Sequence, residues 1–187
     1  MARIPYPDID KLHPRVQEAF RGLPAPLNIF KAMAHAERNF VPLLELGGTI
    51  LARQKLDAKL RELAILFVAA DTGARYEWVQ HVPIALRAGA NDAQVRALES
   101  LDIEAPCFDA DERLALRFTQ EVVRDVKASK PTFDAMARRF SGQEIVELIL
   151  AIGFYMTVAR IMETLEIELE PPLGVAVVAA AERGRRE

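Results

Sequence analysis

From Leu27 onward the apolar residues recur at helical spacing almost everywhere, and no run alternates apolar and polar residues over strand length. A chain written in that period buries its apolar stripes by packing helix on helix, so the expected fold class is all-α, a helical bundle. Helix starts are well marked. Asn91 to Gln94, Asp109 to Glu112 and Ser141 to Glu144 each place a capping residue three before a Glu or Gln. Asp57 is set to cap a helix from Ala58 to about Ala70. A second helix is expected from about Gly73 to Ala88, bent at Pro83 and stopped by Gly89. Pro131 suits the first turn of a short helix ending near Phe140.

The most apolar helix is expected from Gln143 to about Glu168. Ile145, Leu148, Ile149, Ile152, Tyr155, Met156, Ala159 and Met162 form its inward stripe, and Val146, Leu150 and Phe154 make the other face apolar too. A helix apolar all round must be covered on both sides, by its own domain and by another subunit, which points to a homo-oligomer. A capped apolar helix carrying one glutamate occurs twice, with Glu62 and with Glu147, and suggests a duplicated helical hairpin.

Three segments are expected. Residues 1–26 hold five of the eleven prolines and read as an extended arm with one short helix, Pro14 to Arg21. Residues 27–170 form the helical domain, and residues 171–187 a mobile tail ending in the basic cluster Arg183 to Arg186. A chain of 187 residues buries enough surface to fold without disulfide or metal. Lys and Arg number 24 against 27 Asp and Glu, a net charge of −3 that argues against a nucleic-acid partner. The single cysteine, Cys107, excludes an internal disulfide and fits a reducing cytoplasm. The N-terminus lacks the apolar core of a signal peptide. The longest apolar runs, Leu63 to Ala70 and Leu148 to Ala159, fall short of the ~20 residues that span a bilayer. A cytoplasmic protein with no membrane partner is expected.

Chemistry concentrates between Leu60 and Gly89. Glu62 falls on the apolar face of its helix, where an ionised carboxylate needs a partner or a shifted pKa. Arg61, Lys59 or a more distant arginine would supply a structural ion pair; a catalytic carboxylate is the other reading. Glu77 and His81 stand four apart on one helix and face each other. Such a pair either stabilises the helix or sets up acid–base catalysis, with two carboxylates favouring the imidazolium. His13, His35 and His81 lack metal-ligand spacing, and Gly47-Gly48 lacks the context of a phosphate loop, so neither metal nor cofactor is expected.

Arg61-Glu62-Leu-Ala-Ile-Leu, Tyr76-Glu77-Trp78 and His81-x-x-x-Ala85-x-x-x-Gly89 resemble the carboxymuconolactone decarboxylase and alkylhydroperoxidase D superfamily. The likeness runs from about Ala34 to Glu170. Its peroxidase branch carries a Glu nineteen residues before a His, with Cys-x-x-Cys just ahead of the His; here Glu62 and His81 keep that interval. Ala74 and Glu77 stand where the two cysteines would be, so thiol peroxidase chemistry is not implied. Cys107 lies outside the motif. The decarboxylase branch implies cofactor-free proton transfer on a small carboxylated or lactone-type compound, a lyase-like reaction of decarboxylation or isomerisation. On that resemblance His81 is the general acid/base, Glu77 orients or charges it, and Glu62 is a buried second proton carrier. Tyr76, Trp78 and Tyr155 would line the substrate pocket. The resemblance also implies a trimer, dimer or hexamer. The competing readings are a catalytically silent oligomeric binding protein and, behind it, a peroxidase-related redox enzyme without the usual cysteine pair. A pocket open to solvent with Glu77 and His81 facing into it favours the enzyme, and a sealed one with both carboxylates tied to arginines favours the binding protein.

Overall fold

The computed structural model describes residues 1–183 and contains ten α-helices and one short 3-10 turn, Ile9–Lys11, with no strand among the described residues. The helices are α1 (Pro14–Arg21), α2 (Asn28–Met33), α3 (Glu37–Ala52), α4 (Ala58–Thr72), α5 (Arg75–Arg87), α6 (Asp92–Glu99), α7 (Ala110–Asp125), α8 (Lys130–Arg139), α9 (Gly142–Leu165) and α10 (Gly174–Arg183). The all-α bundle expected from the period is the fold observed.

The caps fall where the side chains call for them. Asp57 accepts from the Leu60 amide at the start of α4, and full capping boxes open α6 (Asn91 with Gln94), α7 (Asp109 with Glu112) and α9 (Ser141 with Glu144). Gly73 does not begin α5, as its position had suggested. It closes α4 in the left-handed conformation at φ 71°, where a side chain would be strained. Pro83 lies inside α5, which continues through it.

Helices α4 and α9, the two members of the sequence echo, make the most extensive helix pair in the molecule. Between them and α7 and α8 sits one apolar core, built on Ile65, Val68, Phe118, Met136, Leu148 and Ile152. A second core joins α4 and α5 to α6 and the following loop through Leu63, Leu66, Phe67, Leu98 and Phe108. The third packs the N-terminal arm and α2 on α3 and the far end of α9. The arm is also tied there by polar contacts, the Arg3 amide donating to the Leu165 carbonyl at 2.8 Å.

Two expectations are corrected. Residues 174–183, expected in a mobile tail, form α10, which packs on α3 and α5 with Val178 buried. The reason is complementary shape: Gly174 lacks the Cβ that would otherwise come within 2.7 Å of the Gln80 carbonyl oxygen. Beyond Arg183, the basic cluster lies outside the described residues. The inward stripe of α9 is also narrower than read. Ile145, Leu148, Ile152, Tyr155, Ala159 and Met162 are buried, whereas Met156 is half-buried and Ile149 is 41% exposed. The flanking helices, α4 foremost, cover only part of this all-round apolar surface. By length and apolarity α9 passes the test for a bilayer-crossing helix, which the run from Leu148 to Ala159 alone did not suggest; in the fold it lies against α4, α7 and α8.

Candidate active site

Glu62, in the middle of α4, is fully buried and is held on both carboxylate oxygens. Arg61 Nε donates to Oε1 at 3.0 Å, and His81 Nδ1 lies 2.8 Å from Oε2. Of the partners open to Glu62 in the sequence, the fold selects Arg61. Lys59 instead pairs with Glu112. The arginine is itself 96% buried, so the pair is charge-assisted in a low-dielectric setting. With Glu62 accepting, His81 carries its proton on Nδ1, and Nε2 is the ring nitrogen left for a ligand.

The hydrogen bond of the imidazole thus goes to Glu62 and not to Glu77. Glu77 shares α5 with His81, but their helical spacing does not produce a hydrogen bond. Its side chain is buried and neither carboxyl oxygen has a partner. Burial, followed by the charges of Glu62 and Glu163, pushes its pKa well above the ordinary value. Of the two carboxylates, one is tied to an arginine and the other is not.

His81, Glu77 and Tyr155 all line one cavity of about 270 Å³. The His81 and Tyr155 rings meet edge to face at 4.7 Å between centroids. Burial, then the neighbouring Glu62 and Glu77, pushes the Tyr155 hydroxyl far above its ordinary range. Tyr76 also lines the cavity, but its hydroxyl donates to Glu170. Burial and that contact raise its pKa strongly. Trp78 was expected in the pocket and is not there. It packs, half-buried, against the Leu63, Leu66 and Phe67 core on another side of α5, because three residues along a helix turn it about 60° from His81. The other histidines stay apart: His13 caps α1, and His35 meets the Pro5 carbonyl.

Sequence reasoning missed Gln80 and the C-terminal wall. Gln80 Oε1 accepts from the Leu173 and Gly174 amides at 2.8 and 3.0 Å, capping α10 from the side. Val177, Ala180 and Ala181 of α10 thereby close the cavity against Leu43 and Leu44 of α3. The signal was the glycine after Pro171-Pro172-Leu173, which marks a close backbone approach without naming its partner.

The segment that supplies Glu62, Glu77 and His81 lies inside a stretch with known relatives. Residues 42–121 match the carboxymuconolactone decarboxylase family. The resemblance to the carboxymuconolactone decarboxylase and alkylhydroperoxidase D superfamily is thereby supported, over a shorter span than Ala34 to Glu170. The fold agrees. An uncharacterized peroxidase-related protein from Silicibacter sp. TM1040 superposes with a TM-score of 0.77 at 18% identity, covering 90% of this chain and 92% of that one. An alkylhydroperoxidase AhpD core protein from Ralstonia eutropha JMP134 gives 0.75 at 18% identity, with the same coverages of 90% and 92%. The debrominase Bmp8, as a cysteine-to-alanine variant with 2,3,4-tribromopyrrole, gives 0.70 at 20% identity, over 98% of this chain and 95% of that one. No curated protein matches the chain significantly.

Proposed function

We propose that this protein is an enzyme of carboxymuconolactone decarboxylase type that moves protons on a small carboxylated or lactone-type compound without a cofactor. One observation carries the reading: an unpartnered buried carboxyl, Glu77, and a carboxylate-oriented histidine, His81, line the same cavity. Burial and the neighbouring glutamates push the Glu77 carboxyl well above the ordinary carboxylate range, which suits it to the part of an acid. His81 Nε2 takes a proton from a substrate carbon, Glu62 stabilises the imidazolium that results, and Glu77 returns a proton at a second position. The sum is an isomerisation. In decarboxylation the same acid protonates the carbon from which carbon dioxide has left. Glu62 is the orienting carboxylate, the part that helical spacing had pointed to for Glu77. The ring compound bound to the debrominase relative is in keeping with a small cyclic substrate.

The test is deuterium incorporation from D₂O into unsaturated lactones and their carboxylated forms, followed by proton NMR alongside carbon dioxide release. Exchange or release that is lost in His81→Gln supports the reading. Binding of these compounds with no exchange in either protein supports the silent binding protein instead. We further propose a homo-oligomer built on the exposed Val146, Ile149 and Leu150 of α9. A stable monomer of 20.9 kDa in sedimentation would remove that proposal.

A further inference from the structure

Family resemblance leaves the charge of the ligand open, and the cavity narrows it. The walls are overwhelmingly apolar, from Leu27 and Met33 through Phe154 and Val158 to Val177. No lysine or arginine stands among the described residues that line it. Arg61, beside Glu62 on α4, is paired with that carboxylate.

Arg61 offsets the charge of Glu62. Burial and the charges of Glu62 and Glu163 favour the protonated form of the Glu77 carboxyl. An anion entering the cavity would find no lysine or arginine on its walls, and a cation would find a counter-ion at Glu77 only by stripping its proton. Each would leave a charge poorly compensated in an apolar cavity. What the cavity does lack is a partner for the two Glu77 oxygens, both buried and without a hydrogen bond.

We propose that the cavity takes an uncharged, largely apolar small molecule, held by one carbonyl-type oxygen that accepts the proton of the Glu77 carboxyl. The inference rests on the acid–base reading for the location of the ligand and selects lactone-type over carboxylated compounds. The charged groups that act on Glu77 are Glu62 on α4 and Glu163 on α9, and Glu77 in turn acts on Tyr155 of α9. Burial and the two glutamates all favour the protonated acid, so Glu77 is a donor rather than an acceptor.

The experiment is isothermal titration at neutral pH with one ring skeleton in three charge states: methyl benzoate and phthalide as neutral members, benzoate, and benzylammonium. The neutral members should bind at least about tenfold more tightly than either ion. Glu77→Gln, which keeps an N–H donor, should retain that affinity. Glu77→Leu, which keeps the volume and loses the donor, should weaken it by about tenfold. Melting by circular dichroism verifies that both variants fold. Benzoate or benzylammonium binding as tightly as the esters, no binding of either neutral member, or no loss in Glu77→Leu would each overturn the inference. Binding is read without turnover, so this failure is separable from that of the isotope-exchange test.

Discussion

Nδ1 of His81 lies 2.8 Å from Oε2 of Glu62, a residue nineteen positions earlier on the neighbouring helix. The contact joins α4 to α5 at their shared interface and decides which of two glutamates hydrogen-bonds the imidazole. Glu62 is fixed on its other side by Arg61, so the histidine is held against a rigid, charged support. Glu77 is left without a partner on either carboxyl oxygen.

His81→Gln should lower turnover by roughly 10²–10⁴-fold, the range for a lost acid–base group. The amide can still donate to Glu62, so the melting temperature should stay close to that of the parent. Steady-state rates and a thermal melt measured together check both halves. Near-normal rates with a large fall in melting temperature would make the cluster a structural network.

Glu77 gives the protein a pH-dependent weakness. Its folded pKa is raised above the ordinary 4.5, so the folded state holds the proton more tightly than the unfolded chain. Stability is then greatest below about 4.5 and falls as the pH rises from there towards the folded pKa. Glu77→Gln removes that slope. Its melting temperature should exceed the parent's at pH 8 and converge with it near pH 4, as read by melts across that range.

Arg61→Met should be severely destabilising. It leaves Glu62 with only His81 in a fully buried position, and breaking a buried pair on one side costs about 3–5 kcal/mol. For a chain of this length that is roughly 10 °C in melting temperature. Chemical denaturation gives the free energy directly. A change under about 1 kcal/mol would show that the pair contributes little beyond its surface equivalents.

Gly174→Ala should loosen α10. The added methyl would come within 2.7 Å of the Gln80 carbonyl oxygen and 2.9 Å of Ile84 Cδ1. Overpacking of that kind costs about 1–3 kcal/mol, spent here at the end of the chain rather than in the α4–α9 core. Hydrogen exchange should rise across 174–183 and stay unchanged in α4. Unaltered protection would mean that α10 shifts to accept the methyl.

Cys107→Ser should leave activity unchanged. The thiol lies between α6 and α7, outside the residues lining the cavity, and is half-buried beside the Phe108 core. A loss of rate with this variant would restore a thiol mechanism.

Period and punctuation are local properties, and so they were legible in the sequence. Asp57, Asn91, Asp109 and Ser141 cap the helices they were expected to cap, because a capping side chain bonds an amide only two or three residues away. The burial of Glu62 followed from its place on an apolar stripe, and the helix pair carrying the site followed from the motif. What the sequence could not decide was partnership across helices. Spacing paired His81 with Glu77, four residues away, yet a helix fixes only which side chains are neighbours on its own surface. The packing of α4 on α5 brings Glu62 within bonding distance and turns Trp78 into a separate core. The docking of α10 likewise depends on Gly174 meeting Gln80, ninety-four residues away in the chain. Local chemistry settled the helices; the register between them, a property of the assembled bundle, settled the site.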